Sequence, residues 1–359
     1  MVAEAEGGAA VEPVRGEAEM RQTAAGSGRP AACAGRDVDL LRAKRDPLGL
    51  WRADGLGPFM PPTPREAKGC ALLFEGGGMR ASYTTAAVVT LLEQGVRFPF
   101  VCGVSAGSSN VANYLHGDPW RARVSFTDIA HDPRFGGWHT FLQGKGFFSA
   151  HWLYQESCLP GGPLVYNYGR FERGLEGRDF AIQAFDIDSG ESVVWGKRDV
   201  HGLGDLMVRV RASSTVPFMM PFTQVAGRTF ADGGLGTGAG LALQAVLDAG
   251  YDRVFAVLTR PRGYRKGKVG KSQRLLAGIY EGRWPQLAQA LRTRNDRYNA
   301  ELDRLEQMAR EGRAYIVYAD GMAVSSSTCD VGQLRASYAD AYARYQADVP
   351  QWFSWLGLE

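Results

Sequence analysis

The pentapeptide Gly103-Val104-Ser105-Ala106-Gly107 is the feature that most constrains this chain, because it matches the G-x-S-x-G nucleophile elbow. The apolar run Phe98–Val104 predicts a buried strand before the serine, and the small residues Gly107–Leu115 predict a helix after it. A serine at such a turn presents its hydroxyl at the carboxyl edge of a sheet, above the positive end of a helix. The flanking glycines allow the backbones to approach closely. We therefore expect an α/β fold with Ser105 as a nucleophile.

Strand and helix patterns alternate along most of the remaining sequence, and two pairs of strands are joined by hairpin turns. This alternation predicts a three-layer α/β/α sandwich with a mainly parallel central sheet. The predicted strands are Cys70–Phe74, Phe98–Val104, Asp179–Ile187, Ser192–Trp195, Phe222–Val225, Arg228–Ala231, Arg253–Thr259 and Ala314–Ala319. The predicted helices are residues 86–92, Gly107–Leu115, Gly204–Ala212, Leu241–Ala249, Trp284–Arg310 and Ala336–Trp355.

Composition divides the chain into four segments. Residues 1–45 are rich in Ala, Gly, Glu and Arg and contain no aromatic residue, which predicts a disordered tail. A proline-rich linker follows over residues 46–68. We expect the catalytic domain over residues 69–262, with an aromatic-rich cap or insertion at residues 116–175, and a helical extension over residues 263–359 that packs on the same domain.

Charge and cysteine content exclude several classes of protein. A formal net charge of +3 is too small to imply a nucleic-acid partner. The five cysteines are far apart and form no C-x-x-C pair, which argues against a disulfide framework and a zinc site. Cys70 and Cys102 fall in apolar runs and are predicted to be inert core residues. The absence of a secretory signal and of an apolar run of roughly 18 residues predicts a cytoplasmic protein, and no cofactor or metal is implied.

Two features leave alternatives open. Seven basic and no acidic residues occur in the segment Arg260–Arg274, which predicts either a solvated loop or a patch that meets anionic lipid headgroups. The aromatic residues of the cap predict an acyl channel, peripheral contact with a membrane, or hidden core. They are Trp138, Phe141, Phe147, Phe148, Trp152 and Tyr154.

The serine needs a base, and the sequence favours a carboxylate over an imidazole. In α/β-hydrolases the histidine follows the acid, whereas all five histidines here precede the best acid candidate, Asp232. His116 and His201 are predicted to be solvated surface residues, although a triad through His139 or His151 stays open. Asp232 follows a strand end and precedes two glycines, and partial burial would raise its low proton affinity. A simple turn at Asp232 is the alternative.

A glycine-rich loop between the first strand and the first helix supplies the candidate oxyanion hole. The amides of Gly76, Gly77, Gly78 and Met79 are placed to stabilise a tetrahedral intermediate, and Arg80 adds a positive charge. The same loop weakly fits a dinucleotide fingerprint, Gly76-x-Gly78-x-x-Ala81, but it lacks the ending of a P-loop. A phosphate-binding role is therefore the alternative for this loop.

These three motifs, in this order, resemble the patatin-like phospholipase family. The matching residues are Gly76–Arg80, Ser105 in its elbow, and Asp232-Gly233; the segment Ala212–Pro217 looks like the family's Ala-Ser-x-Ala-x-Pro stretch. The resemblance covers roughly residues 70 to 260. Glu75 stands where the family has aspartate and Ala81 where it has glycine, but neither departure touches Ser105 or Asp232.

The resemblance implies a serine carboxylic-ester hydrolase that cleaves acyl esters of lipids with a Ser105–Asp232 dyad. Its substrate would be a phospholipid or lysophospholipid, reached by peripheral contact with a membrane. Three alternatives stay open: a non-lipid carboxylesterase, a nucleotide-binding α/β protein that uses the Gly76–Gly78 loop, and a non-catalytic lipid-binding protein. The head group, the acyl position and the oligomeric state are not determined by the sequence.

Overall fold

The computed structural model describes residues 49–358, so the predicted tail over residues 1–45 lies outside the described residues. The described strands are β1 (Arg65–Glu66), β2 (Cys70–Phe74), β3 (Val96–Arg97), β4 (Phe100–Val104), β5 (Asp179–Asp186), β6 (Ser192–Trp195), β7 (Thr223–Val225), β8 (Arg228–Ala231), β9 (Arg253–Val257) and β10 (Ala314–Val317). The described α-helices are α1 (Ala81–Glu93), α2 (Ala106–His116), α3 (Pro119–Val124), α4 (Trp138–Leu142), α5 (Tyr168–Gly174), α6 (Leu203–Ser213), α7 (Leu243–Asp248), α8 (Lys271–Glu281), α9 (Pro285–Arg310) and α10 (Val331–Leu356).

Eight of these strands form one sheet in the order β10-β9-β2-β4-β5-β8-β7, with β6 also paired to β5. The strands from β10 to β5 are parallel to their neighbours. The pairings of β5 with β6, β5 with β8 and β7 with β8 are antiparallel. The mainly parallel central sheet predicted from the sequence is therefore confirmed.

Both faces of the sheet are covered by helices, because alternate residues of its central strands enter different clusters. In β2, Leu72 and Phe74 pack in a cluster with buried residues of α1, α2, α6 and α10. Ala71 and Leu73 pack on the other face, in a cluster with residues of α7 and α9. A strand that is buried on both sides has no polar face, which explains its continuous apolar run. The three layers match the predicted α/β/α sandwich.

The strand register brings distant loops to one edge of the sheet. Phe74, the last residue of β2, lies opposite Gly103 of β4 and Val257 of β9. Val104 in turn lies opposite Gln183 of β5. Because parallel strands end at the same edge, the glycine-rich loop, the elbow and the loop after β9 meet there.

The predicted cysteine chemistry agrees with the structure. Cys70 and Cys102 are buried, and burial raises the pKa of the Cys70 thiol to about 12. Burial likewise raises the pKa of the Cys102 thiol. Both residues therefore belong to the core, as predicted, and the raised pKa disfavours the nucleophilic thiolate.

Helix α8 is not among the individual helices predicted from the sequence, and its first residues belong to the basic segment Arg260–Arg274. Its apolar residues cover one narrow face, and Leu275 and Ile279 are exposed. Among residues 49–358, none of the helices combines the length and apolar character that crossing a bilayer requires. The division of the chain at residues 68 and 262 stays a prediction.

Candidate active site

Ser105 lies between the end of β4 and the start of α2, with φ of 56° and ψ of −128°. A non-glycine residue in this region is strained and persists only where the surrounding structure holds it. The flanking glycines make the turn sterically feasible: a Cβ on Gly103 would lie 2.4 Å from the carbonyl oxygen of Gly107. A Cβ on Gly107 would lie 2.3 Å from the carbonyl oxygen of Phe74. The close backbone approach predicted for the elbow is therefore present.

A buried serine of α6 holds the elbow in place. The amide of Ser105 donates to Oγ of Ser213 at 2.9 Å, and that hydroxyl donates to the carbonyl of Gln183 at 2.6 Å. Two residues further on, the carbonyl of Thr215 accepts from the amide of Asp232 at 2.7 Å. The segment Ala212–Pro217, noticed in the sequence only as a resemblance, thus fixes the backbones of both Ser105 and Asp232.

Asp232 reaches the same edge because β8 runs antiparallel to β5. The chain leaves β8 at Ala231, and the next residues run back along β5 toward Gln183, which pairs with Val104. A Cβ on Gly233 would lie only 2.1 Å from the carbonyl oxygen of Gln183, so glycine is required for this close contact. Although 127 positions apart in the chain, Asp232 and Ser105 line one cavity.

The Asp232 carboxyl is buried, with 5% of the residue exposed. Its Oδ1 accepts from the amide of Gly234 at 2.7 Å, whereas Oδ2 has no partner of full hydrogen-bond geometry among the described residues. Burial raises the pKa of this carboxyl above its ordinary value. The charge of Arg294, the hydroxyl of Ser105 and the Gly234 amide offset part of that increase. The site therefore contains a carboxylate that is more basic than usual and is near enough to the Ser105 hydroxyl to be stabilised by it.

No histidine is found among the described residues that line this cavity. The prediction that His116 is a solvated surface residue was wrong: it is buried, and burial followed by the charge of Arg121 holds its pKa well below the ordinary value. His116 ends α2, at the opposite end of the helix from Ser105. Its ring packs 4.5 Å from that of Tyr166, and Nε2 accepts from the amide of Asn167. His201 is exposed, as predicted.

The glycine-rich loop contacts the elbow directly, since a Cβ on Gly76 would lie 3.1 Å from Cβ of Ser105. Three of its amides are already engaged: Gly76 donates to Gly240, Met79 to Ser326, and Arg80 to Gly77. In the part of the chain that the structure describes, the amides of Gly77 and Gly78 donate to no protein acceptor. Both glycines line the cavity with Ser105. Of the five predicted oxyanion residues, these two have the available N–H groups.

Glu75 stabilises the loop from behind. It is buried, and its two carboxylate oxygens accept from the amide of Thr259 at 2.6 Å and from the hydroxyl of Tyr298 at 2.8 Å. These bonds join the loop after β2 to the loop after β9 and to α9. A carboxylate is thus retained where the resembling family has aspartate, and its contacts are structural.

The cavity encloses about 770 Å³, a volume typical of small-molecule sites. Of the six aromatic residues predicted to form a channel or core, Phe148 and Tyr154 line it, whereas Trp152 is buried in the core and Trp138 is exposed. Other apolar residues of its wall come from several elements. They include Phe126, Phe135, Leu153, Leu164, Met207, Val210, Met219, Met220, Leu235, Leu276 and Leu291. Within residues 49–358, no group of three or more His, Cys, Asp or Glu residues is arranged to hold a metal ion.

These features define a class: α/β proteins that carry a serine on a strand–helix elbow, over a cavity at the carboxyl edge of a mainly parallel sheet. Comparison with known families then narrows the class. Residues 72–243 match the family model of the patatin-like phospholipases, and this part of the chain belongs to that family. Residues 284–357 match a second family model, described as a domain of unknown function (DUF6363).

Other comparisons are more distant. The crystal structure of VipD from Legionella pneumophila is similar over 77% of this chain and 66% of that chain, just under two thirds of its length. The sequence identity is 12% and the TM-score is 0.37. No curated protein matches the sequence of this chain.

Proposed function

We propose that this protein hydrolyses acyl esters of lipids through an acyl-enzyme, with Ser105 as nucleophile and Asp232 as base. The family of residues 72–243 supports a lipid acyl hydrolase. The observation that carries the finer proposal is the convergence of Ser105, the buried Asp232 and the free amides of Gly77 and Gly78 on one cavity.

In the first half-reaction, Oγ of Ser105 attacks the ester carbonyl carbon while its proton passes to the Asp232 carboxylate. The carbonyl π electrons move to oxygen, and the amides of Gly77 and Gly78 stabilise the resulting oxyanion. When the intermediate collapses, the C–O bond to the alcohol breaks. Asp232 then returns its proton to the leaving oxygen, which releases the alcohol and leaves Ser105 acylated.

In the second half-reaction, water takes the place of the alcohol. Asp232 accepts a proton from the water as its oxygen attacks the acyl carbon, and the same amides stabilise the second intermediate. Collapse breaks the bond to Oγ of Ser105, which recovers its proton from Asp232. The raised pKa of Asp232 suits this exchange, because a weakly basic carboxylate would accept the proton poorly.

The cavity wall supports an acyl chain as the group that is transferred. Aromatic and aliphatic side chains surround the space beside Ser105, and burying a methylene group there contributes about 0.8 kcal/mol. We therefore expect esters of long acyl chains to be turned over better than short non-lipid esters. A preference for short esters would instead support the carboxylesterase alternative.

We further propose that the opening of the cavity docks on an anionic lipid surface. Four apolar residues both line the cavity and are exposed, and they form the apolar rim: Val216, Phe218, Leu275 and Ile279. Leu275 and Ile279 remain 70% and 64% exposed. Exposed lysine and arginine side chains flank them at positions 268, 271 and 274, which gives charge complementarity to anionic headgroups.

Hydrolysis of defined esters tests the catalytic proposal. Wild-type protein, Ser105→Ala and Asp232→Asn are compared on p-nitrophenyl esters of short and long acyl chains. We expect both substitutions to abolish turnover of every ester. Full activity in either variant would exclude the dyad.

Vesicle binding tests the docking proposal. Leu275→Glu/Ile279→Glu should lose sedimentation with phosphatidylglycerol vesicles, whereas Val194→Glu should retain it, because Val194 is exposed but lies outside the cavity. Equal binding by all three proteins would contradict a membrane role for the rim.

A further inference from the structure

Four cationic side chains gather beside the catalytic residues, and we refer to them as the cationic cluster. Arg80 ends the glycine-rich loop, Arg260 and Lys266 lie in the loop after β9, and Arg294 lies in α9. Arg80, Arg260 and Arg294 line the cavity together with Ser105 and Asp232. All four residues are half-buried.

None of the four side chains forms an ion pair at contact distance within residues 49–358, although the charge of Glu75 acts on Arg80 and Lys266 from further away. Across residues 49–358, no carboxylate oxygen lies within 4.0 Å of a side-chain nitrogen of any of the four. Arg294 donates through Nε to the carbonyl of Gly234 at 2.8 Å, and Nε of Arg80 is buried without a hydrogen-bond partner. The guanidinium of Arg260 lies 4.3 Å from the ring centroid of Tyr264.

Lys266 is held in the same way, with Nζ 3.7 Å from the ring centroid of Tyr298. The hydroxyl of that tyrosine is committed to Glu75, whose second oxygen is also occupied. The charge of Glu75 partly offsets the cluster, but both of its oxygens already accept hydrogen bonds, and Asp232 stands at the catalytic position.

Electrostatics agree with this geometry. Burial, followed by the charge of Arg260, lowers the pKa of Arg80 to about 10. Burial, followed by the charge of Arg294, lowers the pKa of Lys266 to about 6. Cations that depress one another's proton affinity would be stabilised by an anion placed between them.

We infer that the cationic cluster is a subsite for a phosphate dianion carried by the lipid substrate, so that the protein prefers acyl esters with a phosphomonoester headgroup. This inference rests on the proposed function. Ser105 and the three cavity-lining arginines face the same space. One bound molecule could therefore present its ester carbonyl to Ser105 and its phosphate to the arginines. The cavity then matches an amphiphile, with apolar walls for the acyl chain and arginines for the headgroup.

The same geometry disfavours a zwitterionic headgroup. A choline or ethanolamine group brings a positive charge toward the cluster, and among the described residues that line the cavity Asp232 is the one carboxylate. A phosphomonoester instead carries two negative charges, and its binding favours protonation of Lys266. Three of the four cations, Arg260, Lys266 and Arg294, lie outside residues 72–243, so the family match does not account for them.

Competing lipids of one acyl chain test this specificity in the full-length protein. We would measure kcat/KM for lysophosphatidic acid, lysophosphatidylcholine and monoacylglycerol with wild type, Arg260→Gln and Arg262→Gln. Arg262 is the matched control, because it is exposed and does not line the cavity. We expect wild type to prefer lysophosphatidic acid by about tenfold or more over each of the other two lipids, as a charge-assisted phosphate contact would give.

Arg260→Gln should reduce that preference about tenfold, and Arg262→Gln should leave it unchanged. A wild-type ratio near one, or a ratio that Arg260→Gln does not alter, would overturn the inference while turnover of monoacylglycerol still supports the ester hydrolase. Loss of turnover on all three lipids would count against the proposed function itself.

Thermal stability gives a readout that depends on neither turnover nor a variant. Inorganic phosphate should raise the wild-type Tm above that in chloride of equal ionic strength, because a ligand that binds the folded state stabilises it. No difference between the two salts would contradict an anion subsite. Stabilisation by inorganic phosphate without a preference for lysophosphatidic acid would overturn the lipid assignment in favour of free phosphate.

Discussion

Replacing Asp232 with asparagine should abolish activity and yet stabilise the fold. The carboxyl is buried and its pKa is raised, so folding disfavours the ionised form that the unfolded chain exposes to water. Asparagine has nearly the same shape and can still accept from the Gly234 amide through Oδ1. The substitution therefore removes the charge and leaves the packing.

The size of the effect follows from linkage between proton binding and folding. Each unit by which folding raises the pKa of Asp232 costs about 1.4 kcal/mol of unfolding free energy at neutral pH. For about 310 described residues, the entropy of unfolding is about 0.65 kcal/mol per kelvin, so each unit corresponds to about 2 °C in Tm. Loss of a general base typically lowers kcat by about two to four orders of magnitude.

Thermal melts from pH 3 to pH 8, together with ester turnover, check this prediction. The Tm advantage of Asp232→Asn should be full where the wild-type carboxyl is ionised in both states. It should shrink as the pH falls and disappear below 3.8, the ordinary pKa, because Asp232 is then protonated in the folded and unfolded chains alike. A lower Tm for Asp232→Asn at neutral pH would show that the ionised Asp232 carboxyl stabilises the fold.

Asp186 offers a control with the opposite sign. Burial alone would raise the pKa of the Asp186 carboxyl, but the amides of Ser189 and Asp188 and the guanidinium of Arg228 outweigh it and hold that pKa below its ordinary value. The ionised form is therefore favoured by folding. Asp186→Asn should lower the Tm at neutral pH, and this loss should also vanish at low pH.

Two further substitutions test the elbow. Gly107→Ala should lower the unfolding free energy by about 1–3 kcal/mol or more, because the new Cβ would lie 2.3 Å from the backbone oxygen of Phe74. Gly204→Ala is the control, because Gly204 lies in a helix with open space around it. This substitution should raise the unfolding free energy by up to about 1 kcal/mol in the same denaturant titration. Ser213→Ala should cost about 1–3 kcal/mol and reduce kcat, since it leaves the amide of Ser105 without its buried acceptor. Unchanged stability and turnover in Ser213→Ala would show that the elbow keeps its conformation without the hydrogen bond to Ser213.

Local sequence patterns predicted much of the sheet. The run Cys70–Phe74 was placed without error, because a strand that is buried on both faces is apolar at every position. The strand Arg228–Ala231 was predicted from the turn before it, which joins it to β7 in a hairpin. Helix ends were less accurate: α2 begins one residue earlier than predicted and α10 begins five residues earlier.

Long-range relations were not visible in the sequence. The burial of His116 depends on residues more than 40 positions away, such as Asn167, and no local pattern encodes it. Ser213 joins the elbow after β4 to Gln183 of β5, and both lie far from it in the chain. The basic segment from Arg260 predicted a solvated loop or a lipid-facing patch, yet Arg260 lines the cavity and Lys266 lies over Tyr298. Charge alone does not reveal which basic residues a fold will bring to one site.

Labelling with a fluorophosphonate tests the dyad most directly, because this reagent modifies only a serine whose hydroxyl is activated. We expect one adduct on wild-type protein, mapped to Ser105 by peptide mass spectrometry, none on Ser105→Ala, and strongly slowed labelling of Asp232→Asn. Equal labelling of wild type and Ser105→Ala, or labelling of Asp232→Asn at the wild-type rate, would contradict the dyad.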